Sequence, residues 1–128
     1  MSGTLRSDFL RYAGVGAAAT LAHYALLAAW VESLHGPAWI GSGLGATLGA
    51  QIAFFGNRAW TFGHRGALAP AWWRFMGTAL VGAAFGMGLV AAGGALGVHY
   101  LLAQALATIL SLLLTFAINR HWTFGRSA

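Results

Sequence analysis

Four apolar segments, each about 20 residues long or slightly longer, place the strongest constraint on the fold of this chain. A helix of about 20 residues rises about 30 Å at 1.5 Å per residue, which matches the hydrocarbon thickness of a bilayer. The segments cover about residues 9–31, 39–60, 72–95 and 98–122. The sequence therefore predicts an all-α membrane protein with four transmembrane helices. The last two segments are separated only by a glycine-containing break at Gly93, Gly94 and Gly97.

The composition supports lipid as the surrounding solvent. Charged residues make up 7% of the chain and the mean hydropathy is +0.69, whereas a soluble domain carries about 25% charged residues. The absence of cysteine excludes disulfides and thiolate ligands, and no two histidines have a metal-ligand spacing, so we expect no cofactor. Seven arginines among so much apolar sequence form no basic stripe, so we expect no nucleic-acid partner.

The distribution of arginine predicts the orientation. All seven lie before the first segment, between the second and third, or after the fourth: Arg6, Arg11, Arg58, Arg65, Arg74, Arg120 and Arg126. The other two connections contain Glu32, His35 and His99. Loops rich in arginine stay in the cytoplasm. We therefore expect a multi-pass protein of the inner (cytoplasmic) membrane with both termini cytoplasmic. We expect the first segment to be a retained helix, because its apolar run is longer than that of a signal peptide.

The second half of the sequence repeats the first. Residues 57–63 reappear 62 positions later as residues 119–125, and six of these seven residues are identical. Residues 11–14 align with residues 74–77 at a shift of 63. Each repeat contains two membrane crossings, so the repeats are predicted to be parallel and related by an axis along the membrane normal.

This repeat predicts the domain organisation. Residues 1–128 form a single transmembrane domain of two helical hairpins, with repeat one at about residues 9–63 and repeat two at about residues 72–125. Both Asn-Arg pairs then lie at the same depth on the cytoplasmic side.

Small residues recur at every fourth position on the second and fourth segments. The two series are Gly41, Gly45, Gly49, Ala53 and Asn57, and Ala103, Ala107, Ser111, Thr115 and Asn119. Such faces allow helices to approach closely in lipid. They indicate helix packing within the chain, a groove, or a seam between copies.

Polar residues within the segments are few, and none is acidic. For His23 we favour a packing role over a proton relay, and we expect Gln51 and Gln104 to bond across helices. The missing carboxylate argues against a proton-coupled multidrug exporter of four helices. With no nucleotide-binding loop and no serine–histidine–acid set, we do not expect an enzyme.

Two features together carry a resemblance to a known family. Each hairpin begins with Arg-aromatic-x-Gly and ends with Asn-Arg-x-Trp-Thr-Phe. Over about residues 9–125 the chain resembles the GtrA-like family of bacterial membrane proteins. The resemblance implies translocation of polyprenyl-phosphate-linked sugars across the cytoplasmic membrane during synthesis or modification of cell-surface polysaccharides. The alternative that it implies is a non-transporting scaffold that positions a glycosyltransferase.

The motif residues are the candidate substrate-binding site. They are Arg11, Asn57, Arg58 and Trp60 in the first repeat, and Arg74, Asn119, Arg120 and Trp122 in the second. Arginine binds phosphate oxygens in bidentate fashion, asparagine offers an amide, and tryptophan stacks on a sugar face. The competing interpretations are orientation signals, helix capping and interfacial anchors.

Four partners are expected for this site and this small bundle. They are a polyprenyl-phosphate-linked sugar, membrane lipids, a membrane glycosyltransferase in the scaffold alternative, and further copies of this 13.3 kDa chain.

Overall fold

The computed structural model describes residues 2–61 and 68–118 of the 128-residue chain. These residues form four α-helices and one π-helical turn, and no strand occurs among them. The helices are α1 (Ser2–Glu32), α2 (Ala38–Gly56), α3 (Leu68–Ala95) and α4 (Tyr100–Ile118), and the π-helical turn Asn57–Thr61 continues directly from α2. The prediction of an all-α fold is confirmed.

Three of the helices are long and apolar enough to cross a membrane. The qualifying spans are Arg6–Glu32, Ala38–Trp60 and Pro70–Ala95. The fourth is shorter, because its apolar part within the described range is Tyr100–Thr115. Helix α4 as a whole has 19 residues, which rise about 28 Å at 1.5 Å per residue. The chain is a multi-pass membrane protein.

The helix boundaries differ from the predicted segments in two places. Helix α1 begins at Ser2, seven residues before the predicted start at residue 9. The third and fourth helices are joined by residues 96–99, so Gly93 and Gly94 belong to α3 and not to the break. Gly97 adopts a φ of +80°, and the Val98 N–H donates to the Gly93 carbonyl at 2.8 Å. This left-handed glycine cap ends α3 and produces the short turn.

Consecutive helices pack side by side: α1 on α2, α2 on α3, and α3 on α4. A Cβ added at Gly45 would lie 2.5 Å from the His23 carbonyl oxygen, and one at Gly49 would lie 3.0 Å from that of Ala19. On the other hairpin, the Ser111 hydroxyl donates to the Gly82 carbonyl at 3.3 Å. The small-residue faces are therefore used for packing within the chain, as close helix approach in lipid requires.

Equivalent positions of the two hairpins make equivalent contacts. The Ala19–Gly49 approach in the first hairpin corresponds to Gly82–Ser111 in the second, since 82 − 19 is 63 and 111 − 49 is 62. Leu27 and Val90 are also related by a shift of 63, and both are almost fully buried, with 0% and 2% of their surfaces exposed. The arrangement as two repeated helical hairpins is confirmed.

The alternating helix directions separate the charged residues. The start of α1, the end of α2 and the start of α3 lie together and carry Arg6, Arg11, Arg58 and Arg74. We refer to this end of the bundle as the arginine end. Glu32, His35 and His99 lie at the opposite end. The remaining arginines, Arg65, Arg120 and Arg126, fall outside the described residues.

Candidate functional site

The first Asn-Arg-x-Trp-Thr motif forms a π-helical turn at the arginine end. The backbone N–H of Asn57 donates to the carbonyls of Ala53 and Phe54, so the motif begins within the hydrogen-bond ladder of α2. A π-helical turn is wider than an α-helical turn and occurs often at functional sites. The sequence predicted the motif but not this widened backbone.

Arg11 and Trp60 meet at this end, although 49 residues separate them in sequence. Arg11 Nη1 donates to the Trp60 carbonyl oxygen at 3.4 Å, and its Cζ lies 5.9 Å from the centre of the indole ring. This distance is within the range of a cation–π interaction. The motif at the start of the first hairpin is thus in contact with the motif at its end. The Arg11 guanidinium is held in place by this contact and remains exposed.

The other motif residues are distributed around the same end. Asn57 and Arg58 are half-buried and both have interaction partners. Arg74 is exposed at the start of α3, next to Phe75, whose ring centre lies 5.5 Å from that of Phe54. The predicted residues of the second motif, Asn119, Arg120 and Trp122, lie outside the described residues.

A cavity of about 310 Å³ lies between the four helices, and Gly49, Ala53, Ser111 and Thr115 of the small-residue faces, for which a groove was one interpretation, line it. This volume is at the lower end of the range for small-molecule pockets. Most of its wall consists of glycine and alanine, and no arginine or carboxylate of the described residues lines it. Its polar lining residues are Thr20, His23, Ser42, Gln104, Thr108, Ser111 and Thr115.

Two polar atoms in the cavity wall have no hydrogen-bond partner within the described residues: Gln104 Oε1 and His23 Nε2. Only 2% of the Gln104 surface is exposed, and its Nε2 donates to the Thr108 hydroxyl at 3.2 Å. The His23 imidazole interacts with the Gln104 side chain and the Ser42 backbone, but neither Gln104 Oε1 nor His23 Nε2 has a partner at hydrogen-bond geometry. A buried polar atom without a partner costs about 1–3 kcal/mol, so these two atoms are available to a ligand at a favourable free energy.

Gln51 provides the contrast. Its Oε1 accepts a hydrogen bond from Trp72 Nε1 at 3.0 Å, and its Nε2 donates to the Met76 sulfur at 3.0 Å. Both partners lie on α3, so the predicted bonding across helices is confirmed for Gln51. Gln104 instead donates to a residue of its own helix. Of the two intramembrane glutamines, Gln51 therefore has a structural role and Gln104 faces the cavity.

The cavity extends towards the arginine end, and two buried apolar side chains lie beyond it on α1 and α3 towards the opposite end. Along α4 it runs from Gln104 to Thr115, a rise of about 16 Å at 1.5 Å per residue. Its lining on α2 ends at Ala53, one turn before Asn57. Beyond His23 and Gly86, the next turn on α1 and on α3 carries Leu27 and Val90, the two largest fully buried hydrophobic side chains.

The polar wall of the cavity departs from the repeat symmetry. Gln104, Thr108, Ser111 and Thr115 lie on one face of α4, at spacings of four, three and four residues. Their equivalents on α2, at a shift of 62, are Ser42, Ala46, Gly49 and Ala53. This polar face has a helical period and was visible in the sequence, but the sequence did not show that it faces a space.

The two interfaces between the hairpins also differ. Helices α2 and α3 are joined by the Gln51 bonds, by Phe54 on Phe75 and by close contact of Met87 with Gly43. Helices α1 and α4 meet at few points: Tyr24 and Thr108 share a hydrogen bond of 2.9 Å, and the Tyr100 hydroxyl donates to Glu32 Oε2 at 2.8 Å.

Apolar spanning helices around a cavity with polar side chains define a multi-pass membrane protein with an intramembrane cavity. The family model of the GtrA/DPMS transmembrane domain matches residues 11–124, and the chain belongs to this family. No curated protein and no solved structure matches the chain. Membership of the family indicates involvement in the handling of lipid-linked sugars. Domains of this family are typically non-catalytic membrane domains.

Proposed function

We propose that this chain is a translocase that carries a polyprenyl-phosphate-linked sugar across the cytoplasmic membrane, in the synthesis or modification of cell-surface polysaccharides. The observation that supports this best is the cavity among the four helices, which reaches the arginine end of the bundle. A protein that only anchors or recruits a partner needs no such internal space.

The motif arginines of the arginine end, which do not include Arg6, are proposed to bind the phosphate, and this end is proposed to face the cytoplasm. A guanidinium has five N–H donors that match phosphate oxygens, and the Trp60 carbonyl engages one of those of Arg11. Arg58 and Arg74 lie at the same end. The proposed site also includes Asn57, Trp60 and the second motif, Asn119, Arg120 and Trp122.

The cavity would lower the barrier for the polar head. Charged and hydroxyl-bearing groups are costly to place in hydrocarbon without partners. Hydroxyls, an amide and an imidazole line the cavity, so the head would exchange hydrogen bonds with water for hydrogen bonds with protein. The two acidic residues, Asp8 and Glu32, lie outside the apolar interior of the bundle. We therefore propose that transport follows the gradient of the substrate.

The test is reconstitution into vesicles with a labelled short-chain polyprenyl-phosphate hexose. We expect the wild-type protein to accelerate exchange of the label between leaflets relative to protein-free vesicles. Each charge-assisted contact with the phosphate contributes about 1.5–3 kcal/mol, so Arg11→Ala combined with Arg58→Ala should slow exchange at least tenfold. Arg6→Ala removes an exposed arginine outside the motif and serves as the control, with a change of less than twofold.

Exchange no faster than in protein-free vesicles would contradict the translocase. Co-purification of a glycosyltransferase with such an inactive protein would then favour the scaffold, which is the alternative proposal. An equal effect of Arg6→Ala and of the double variant would show that net charge and not the motif controls exchange.

A further inference from the structure

We propose that the cavity contains a second binding position, in the half of the membrane opposite the arginine end, where Gln104 and His23 hold the neutral, hydroxyl-rich sugar of the substrate. This inference rests on the proposed function, because it assumes that a lipid-linked sugar enters the bundle. It differs from that proposal in placing recognition of the sugar in the cavity, away from the arginine end.

The two unpartnered atoms define where the sugar binds. Gln104 Oε1 and His23 Nε2 are buried and without partners within the described residues, and both side chains line the cavity. The other polar groups next to them are already engaged: Gln104 Nε2 donates to Thr108, and the hydroxyls of Thr108 and Tyr24 share a hydrogen bond. One carboxamide oxygen and one imidazole nitrogen are thus left for an additional molecule.

The chemistry of these atoms favours hydroxyl groups. A carboxamide oxygen accepts, and an imidazole nitrogen accepts or donates according to its tautomer, so a polyol satisfies both. Within residues 2–61 and 68–118 no arginine lines the cavity, so a phosphate there would lack the charged partner that a buried anion requires. The cavity therefore suits the neutral part of the head, and the arginine end suits its anionic part.

The separation of the two regions makes them successive positions and not one site. Gln104 lies 11 residues from Thr115, the lining residue of α4 nearest the arginine end, which is about 16 Å at 1.5 Å per residue. A further turn of α2 separates the end of the cavity at Ala53 from Asn57. A single sugar joined to a phosphate does not reach across this distance, so the phosphate must leave the arginines before the sugar reaches Gln104. Gln104 lies four residues from Tyr100 at the start of α4, about 6 Å at 1.5 Å per residue, so the attached phosphate would then lie at the opposite end of the bundle and not in the cavity.

The experiment compares two classes of lipid by native mass spectrometry in detergent. The probes are unglycosylated polyprenyl phosphate and polyprenyl phosphate carrying glucose, galactose or mannose. We expect wild-type protein to prefer at least one glycosylated lipid over the unglycosylated one. Gln104→Met removes the carboxamide and keeps the shape of the side chain. Loss of one buried hydrogen bond, about 1–1.4 kcal/mol, should reduce the preference about five- to tenfold.

Gln51→Met is the matched control, because Gln51 is the other intramembrane glutamine and its amide is occupied by Trp72 and Met76. This variant should retain the preference even if its melting temperature falls. His23→Phe is the second variant and should reduce the preference on its own. It gives a result even if Gln104→Met fails to fold.

Three outcomes decide the inference. Full preference in Gln104→Met or in His23→Phe, or an equal loss in Gln51→Met, would overturn it. Equal binding of all four lipids by wild-type protein would also overturn it, because the cavity then holds no sugar, and the translocase proposal would remain. Preference that depends on Gln104, combined with no exchange between leaflets in vesicles, would support the inference and reject the translocase.

Discussion

Individual residues at the first hairpin show what the sequence could and could not predict. The repeated motif predicted that Arg11 and Trp60 belong to one site, and the structure brings them together. Gln51 and Gln104 are the same residue type in similar apolar surroundings, yet both amide atoms of Gln51 bond to α3, whereas Gln104 donates within its own helix and interacts with His23 of α1. The difference between the two glutamines depends on the helix face on which each lies and on the space beside it. A single sequence shows neither the face that is used nor the space.

Gly45 is expected to be intolerant of any side chain. A Cβ there would lie 2.5 Å from both the carbonyl oxygen and the ring of His23, whereas nothing lies within 4 Å of a Cβ at Gly88. Overpacking of this kind costs about 1–3 kcal/mol. Gly45→Ala should therefore lower the melting temperature in detergent by several degrees, as measured by circular dichroism.

Gly88→Ala is the matched control, because it makes the same chemical change on a helix surface with open space. It should leave the melting temperature unchanged or raise it, since alanine favours the helix by about 1 kcal/mol over glycine. Equal destabilisation by both substitutions would contradict the close packing of α1 on α2.

The sequence predicted the individual helices well, but it did not determine the space between them. The apolar length fixed the four segments, and the glycines and the polar loops fixed most boundaries to within a few residues. The cavity depends on which faces of the helices oppose one another. The polar positions of α4 recur at spacings of four, three and four residues. This pattern is expected both for a face that packs against another helix in lipid and for a face that lines a cavity. Burial and unpartnered atoms, which are visible only in three dimensions, separate these two interpretations.

The cavity predicts a contrast in chemical accessibility between two positions of α2. Ala46 lines the cavity, whereas Leu44 is 43% exposed on the outer surface of the bundle, in the lipid. A thiol reacts as the thiolate, which requires water. In the chain, which has no native cysteine, Ala46→Cys should react with an impermeant maleimide at least tenfold faster than Leu44→Cys.

The side from which the reagent acts is also predicted. Because Leu27 and Val90 are buried between the cavity and the opposite end, Ala46→Cys should react faster from the arginine end. The measurement is the rate of modification in inside-out vesicles compared with intact cells. Equal rates for Ala46→Cys and Leu44→Cys, or faster modification from the opposite end, would contradict a cavity that opens towards the arginines.

At the scale of the whole molecule, the sequence repeat predicted the architecture, and the distribution of arginine predicted the orientation in the membrane. Two hairpins with matching contacts and a single arginine end follow from a duplicated pattern that is present in the sequence. The domain limits, the cytoplasmic location of both termini and the homo-oligomer remain predictions. The small-residue faces of α2 and α4 are used within the chain. A contact between copies would therefore involve other surfaces, such as the exposed face of α3 that contains Gly88.

The orientation in the membrane is tested by replacing an exposed serine near each end of α1 with cysteine and labelling the thiol. Ser7 lies at the arginine end and Ser33 at the opposite end. According to the positive-inside rule, an impermeant maleimide added to intact cells should modify Ser33→Cys and leave Ser7→Cys unmodified. Permeabilised cells, in which both positions should react, serve as the control. Modification of Ser7→Cys in intact cells would reverse the assigned orientation.

The sparse contact between α1 and α4 has a consequence for the long isoprenoid tail of the proposed substrate. The tail of the proposed substrate cannot fit inside 310 Å³, so under the translocase proposal it would remain among the acyl chains while the head moves through the bundle. The α2–α3 interface is bridged by bonds at several depths, whereas the described parts of α1 and α4 are joined by the bonds of Tyr24 with Thr108 and of Glu32 with Tyr100. A substrate with its head in the cavity and its tail in the lipid would therefore pass between α1 and α4. The single chain would then have one lateral opening, where a symmetric pair of hairpins would have two.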